Sequence, residues 1–111
     1  MSQVKESPVK RFPGTITLPD FLNHPQAIAY WRGVQAARAL PKDTATMMDV
    51  NYALLPGLCA CVEKWDIIGL PTPVTADTFP ATPGRDCRLL ISWVDREIAT
   101  LIKETEDIPN G

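Results

Sequence analysis

A chain of 111 residues, 45% apolar and 22% charged, is the size of one domain, and this balance excludes disorder by composition. Thirteen acidic residues against eleven basic ones leave a net charge of −2, which argues against a nucleic-acid footprint spread over the chain. No run approaches the roughly 18 apolar residues of a membrane-crossing helix, and no basic segment followed by an apolar one marks secretion.

Met1–Val9 carries no hydrophobic period and reads as a mobile arm. Within Arg11–Pro19, Ile16 and Leu18 alternate with Thr15 and Thr17 between Pro13-Gly14 and Pro19, which predicts an extended segment. A lone strand leaves backbone groups unpaired, and no second β-rich run is evident. The segment is therefore expected as an edge strand pairing between molecules, or as a strap lying across helices.

Asn23-His24-Pro25 predicts a helix start, with Asn23 or His24 as cap and Pro25 in the first turn. Ala27, Tyr30, Trp31, Val34 and Ala37 share one side, and Pro41 stops the helix near Leu40. Asp43 or Thr44 is placed to cap a second helix, whose stripe runs through Met47, Val50, Leu54, Leu58, Cys61, Val62 and Trp65. Pro56 falls inside that stripe and predicts a kink or break at Leu55–Gly57.

Asp66–Gly84, punctuated by Gly69, Pro71, Pro73, Pro80 and Pro83, reads as a long connection. Its apolar residues Ile67, Ile68, Leu70, Val74 and Phe79 imply that it packs down on the domain. A third helix follows over about Arg85–Glu106, with Cys87, Leu90, Ile91, Val94, Ile98, Leu101 and Ile102 on one arc. The expected fold is thus mainly α. A flexible N-terminal arm occupies 1–9, a single helical domain with helices near 25–40, 45–65 and 85–106 occupies 10–106, and a C-terminal tail occupies 107–111.

Chemistry has little to build on. The single histidine, His24, sits at a helix start, where a capping or surface role explains it better than catalysis. Cys59 and Cys61 are two apart, so on a helix they point about 200° from each other and cannot easily share one metal ion. With Cys87 the count is odd, which argues against a disulfide framework. The carboxylates Asp95 with Glu97, and Glu104 with Glu106 and Asp107, fall on a polar helix face. No glycine-rich phosphate loop occurs. The expectation is a protein without catalytic residues, metal or cofactor, and with no nucleic-acid or membrane partner.

Charge is unevenly placed. Residues 1–42 hold six cations against two anions, whereas 43–111 hold five cations against eleven. Such asymmetry can steer a charged partner, although attraction between the two ends of one fold explains it as well.

The tryptophans say more. Trp31 and Trp65 lie within apolar arcs and are expected in the core. With Leu90 at 0°, the main arc of the third helix spans about 120°, but Leu89 falls near 260° and Trp93 near 300°. Those two are neighbours, four residues apart, on an otherwise polar side. Either the 66–84 segment or the strap covers them, or they form an exposed anchor for a partner protein. Leu89 and Trp93 are accordingly the candidate partner-binding residues.

Three stretches carry a resemblance: Phe12-Pro-Gly-Thr-Ile-Thr-Leu-Pro-Asp20, Leu54-Leu-Pro-Gly-Leu-Cys-Ala-Cys-Val-Glu-Lys-Trp65 with Gly69-Leu-Pro71, and Thr78-Phe-Pro-Ala-Thr-Pro83. Across about residues 12–102 the chain resembles the tail assembly chaperones of long-tailed bacteriophages. The resemblance implies a small, non-enzymatic helical protein that coats the hydrophobic tape-measure protein in the cytoplasm of the infected host and leaves the finished virion. No catalytic residue carries over from it. Apolar grooves suit such a role, and an edge-capable N-terminal strand would allow self-association into a homo-oligomer. Two other classes remain open on the residues: a structural virion protein of the tail or head–tail junction, and a small phage inhibitor or adaptor that binds a host protein.

Overall fold

The computed structural model describes residues 2–75, 78–79 and 84–106, with side chains to Ile102. Three strands and three helices follow one another along it: β1 (Gln3–Glu6), β2 (Gly14–Leu18), α1 (His24–Arg38), α2 (Met47–Cys61), β3 (Lys64–Ile67) and α3 (Gly84–Glu106). Helix predominates, and the three helices lie close to where the apolar periods put them. The tail expected over 107–111 lies outside the described residues.

The strands form one antiparallel sheet in the order β1-β2-β3. Residues 3–6, placed in an arm by their lack of pattern, pair with β2 from Gln3↔Leu18 to Glu6↔Thr15. On the other side of β2, Ile16 lies opposite Trp65 and Gly14 opposite Ile67. Both edges of β2 are thus paired within the chain, so it is neither an edge strand nor a strap, and it offers no edge to a second molecule. Alternation sorts the sheet's faces. Ile16, Leu18 and Ile67 are buried on the inner face, while Val4, Glu6, Lys64 and Asp66 are exposed on the outer one. Gly14, at φ +135°, is required where β2 begins, because a Cβ there would run into the Asp66 carbonyl.

α1 starts at a reciprocal capping box. Gln26 N donates to Asn23 Oδ1 at 2.9 Å, and Asn23 N donates to Gln26 Oε1 at 3.0 Å. His24 is therefore the first helical residue and Asn23 the cap. The cap of α2 is Thr46 rather than Asp43 or Thr44, because residues 41–45 close a separate turn through Ala45 N to Pro41 O at 2.8 Å. Asp49 completes the box, accepting from Thr46 N at 2.8 Å. α2 continues unbroken through Pro56, which lies exposed on its surface.

That helix stops at Cys61, short of Trp65. Val62 turns extended, and Glu63 N donates to Thr17 O at 2.8 Å, so the open side of β2 captures the chain and draws Trp65 into β3. There Trp65 is half-buried and packs edge-on against Phe79, with ring centroids 5.7 Å apart. α1 and α2 pack as an antiparallel pair, with Gly57 against Ala29–Tyr30 and Gly33 against Ala53–Leu54. The core joins the inner sheet face to all three helices. It includes Ile16, Leu18, Leu58, Phe79, Leu90, Val94 and Ile98, and Val9 and Phe12 from the β1–β2 connection close it at one side.

Candidate functional site

An open groove of about 480 Å³ runs between α2 and α3. From α2 it takes Met47, Val50, Asn51 and Leu54, spaced i, i+3, i+4 and i+7, which is one helical stripe. From α3 it takes Leu89, Ser92 and Arg96, spaced i, i+3 and i+7, with Ile91 and Asp95 beside them. Met47 and Leu89 both stand about half exposed at its lips, and Met48 and Tyr52 extend the exposed apolar surface along α2.

The two candidate partner residues separate here. Leu89 is 47% exposed and lines the groove, whereas Trp93, one turn further on, is 6% exposed and belongs to the core. Trp93 is therefore no exposed anchor. The N-terminal hairpin reaches this side of α3 before and after it: Arg11 Nη1 lies 4.0 Å from Asp86 Oδ2, and Lys5 Nζ lies 3.9 Å from Glu97 Oε2. One arc of the helix faces the other helices and a second faces the segment read as an arm, which is why a single-stripe reading left Trp93 outside. Trp31 errs in the opposite sense. It is 41% exposed, touching the edge of the Tyr30 ring at 5.9 Å between centroids.

Of the four polar residues lining the groove, Ser92 and Arg96 are exposed, whereas Asp95 and Asn51 are not. Asp95 accepts a 2.9 Å hydrogen bond from Tyr30 Oη, so this carboxylate is a tie between helices and not part of a solvated face. Burial first, and then this bond and the charge of Asp95, hold the Tyr30 phenol above its usual range. Asn51 is 7% exposed, the one buried polar residue among those described. It makes no side-chain hydrogen bond among the described residues. No side-chain nitrogen or oxygen there is fully sealed off without a partner, so the Asn51 amide must open to solvent through the groove it lines.

Sequence reading missed Asn51, although a signal for it was present. It sits in the middle of the α2 stripe, four residues after Met47 and three before Leu54, where an apolar residue is the rule.

The other candidates disperse. His24 is exposed at the start of α1. Cys61 and Cys87 are buried and Cys59 half-buried, all as free thiols. Burial raises all three thiols, and pushes Cys61 up to about 12, which holds it in the unreactive protonated form. Among the described residues no group of three or more His, Cys, Asp or Glu could hold a metal ion, and no helix is long and apolar enough to cross a membrane. Comparison with protein families, with characterised proteins and with solved structures finds no match to this chain.

Proposed function

We propose that the protein is a non-enzymatic tail assembly chaperone of a long-tailed bacteriophage, which binds the tape-measure protein in the host cytoplasm while the tail is built. The α2–α3 groove is the observation that carries this reading. Met47, Val50 and Leu54 on α2, with Leu89 and Ile91 on α3, offer a docked helix an apolar strip rimmed by Ser92, Asp95 and Arg96, without asking for any chemistry. Half-exposed Met47, Met48 and Leu89 suit a surface that must accept a succession of similar but non-identical segments, because the unbranched thioether of methionine adapts its shape. The resemblance in residues 12–20, 54–65, 69–71 and 78–83 supplies the identity of the partner.

Co-expression with the tape-measure protein encoded in the same genome tests the proposal. The tape-measure protein should become soluble and co-purify with this chain, and Leu89→Asp should abolish both effects. Purified virions should lack the chain. A tape-measure protein that stays insoluble, or a stoichiometric amount of this chain in finished particles, overturns the reading.

A further inference from the structure

We propose that Asn51 is a polar reading point in the α2–α3 groove, whose occupant is about two turns of an amphipathic helix carrying one carboxamide side chain, Gln or Asn, within its apolar stripe. The inference deepens the binding role proposed above and rests on it.

The form of the occupant follows from the walls. The α2 stripe spans Met47 to Leu54, about 10 Å of helix at 1.5 Å per residue. Its partner stripe on α3 has the same helical spacing, so the seat has the length and repeat of two helical turns. The chemistry of the occupant follows from Asn51. A carboxamide offers two donors and an acceptor, and no described residue meets them although Asn51 is 7% exposed. An apolar helix laid over the groove would strip the remaining solvent from that amide and leave it unpaired, which is costly.

A docked helix satisfies its own backbone, so only a side chain of the occupant can answer Asn51. A second carboxamide does so at both ends, donor to acceptor and acceptor to donor. A charged side chain is the poorer match. The groove holds one anion, Asp95, and one cation, Arg96, and Oδ1 of Asp95 already accepts from Tyr30. A lone buried amide of this kind fixes register between helices. Here it would set where along a long repetitive helix each copy sits.

The test uses the full chain and two synthetic amphipathic helices of about 20 residues, long enough to hold helical structure. They are identical except for Gln or Leu at the centre of the apolar stripe. Calorimetric titration should show the Gln helix binding about tenfold more tightly than the Leu helix. Asn51→Leu should erase that preference while raising the melting temperature of the unbound protein, since it removes a buried amide that has no partner among the described residues. A residue that merely supports the fold would behave oppositely, losing stability on substitution.

Equal affinity for both peptides, binding of neither, a preference that survives Asn51→Leu, or a lower melting temperature in that variant would each overturn the inference. So would a concentration-dependent dimer abolished by Asn51→Leu, which would make a second copy the occupant. The two readings fail separately. If wild type and Asn51→Leu solubilise the tape-measure protein alike, the chaperone role stands and the reading point falls. If the Gln helix is preferred but the tape-measure protein is not bound, the groove's chemistry stands and the chaperone role falls.

Discussion

Tyr30 Oη donates a 2.9 Å hydrogen bond to Asp95 Oδ1 across a separation of 65 residues, and so ties α1 directly to α3. α1 packs mainly on α2, and α2 on α3, so this bond closes the arrangement from the far side. It also fixes Asp95 in the groove wall, next to the Ser92–Arg96 turn. Tyr30→Phe keeps the ring's packing and deletes only the donor. It should cost about 1.5–3 kcal/mol, the range for hydrogen bonds to a charged group, read as a lower denaturation midpoint with an unchanged slope.

The α1–α2 crossing depends on two glycines to different degrees. A Cβ on Gly57 would lie 2.7 Å from Ala29 O and 2.9 Å from Tyr30 Cα, both backbone atoms that cannot turn aside. Gly57→Ala should therefore push the helices apart and destabilise by about 1–3 kcal/mol, even after the helix-propensity gain of alanine. At Gly33 the nearest atom, Ala53 O, would be 3.2 Å away. There the same gain of about 1 kcal/mol offsets a milder crowding, and Gly33→Ala should be close to neutral. Thermal unfolding of the two variants side by side checks the ranking.

Stability should fall in alkali through groups held neutral by burial. Cys61 is raised from 9.0 to about 12, and Tyr30, Cys59 and Cys87 shift in the same direction. In the unfolded chain Cys61 releases its proton near its ordinary value, while the folded chain still holds it. Its contribution is thus fully present below pH 9 and is lost as pH rises toward 12. Over that window the thiol alone should lower the unfolding free energy by about 1.4 kcal/mol per pH unit. Urea midpoints should be flat from pH 7 to about 8.5 and decline above it. A Cys61→Ala background should show a shallower decline.

Leu89 and Trp93 should give opposite responses to truncation. Trp93→Ala empties a core position and should cost about 3–5 kcal/mol of stability. Leu89→Ala trims a half-exposed side chain at the groove lip, so stability should move by no more than about 0.5 kcal/mol while binding weakens. Melting temperature and partner affinity, both measured on each variant, separate the two effects. A stable Trp93→Ala protein with weakened binding would return that residue to the surface.

The helices were legible in the sequence because their signals are local. Apolar spacing in α3 from Cys87 to Leu101, the Asn23-to-Gln26 pairing at the start of α1 and the Met47-to-Leu58 stripe of α2 can each be read within a few turns of one another. The polar residue inside that stripe, Asn51, could have been read in the same way, since its oddity needs no tertiary information.

Tertiary structure decided what covers what. Gln3–Glu6 has no pattern of its own and becomes a strand because β2 supplies a template of unpaired backbone groups. Lys64–Ile67 leaves the α2 pattern for the same reason, and it carries Trp65 into the sheet. Trp93 is buried and Trp31 exposed because a side chain's environment depends on which distant segment reaches its face, and Lys5 and Arg11 bring the N-terminal hairpin to α3. The sequence by itself determined where helices form, since their hydrogen bonds close within four residues. Strand pairing joins residues as far apart as Gly14 and Ile67, and the sidedness of burial residues as far apart as Lys5 and Glu97, and only the folded chain brings them together.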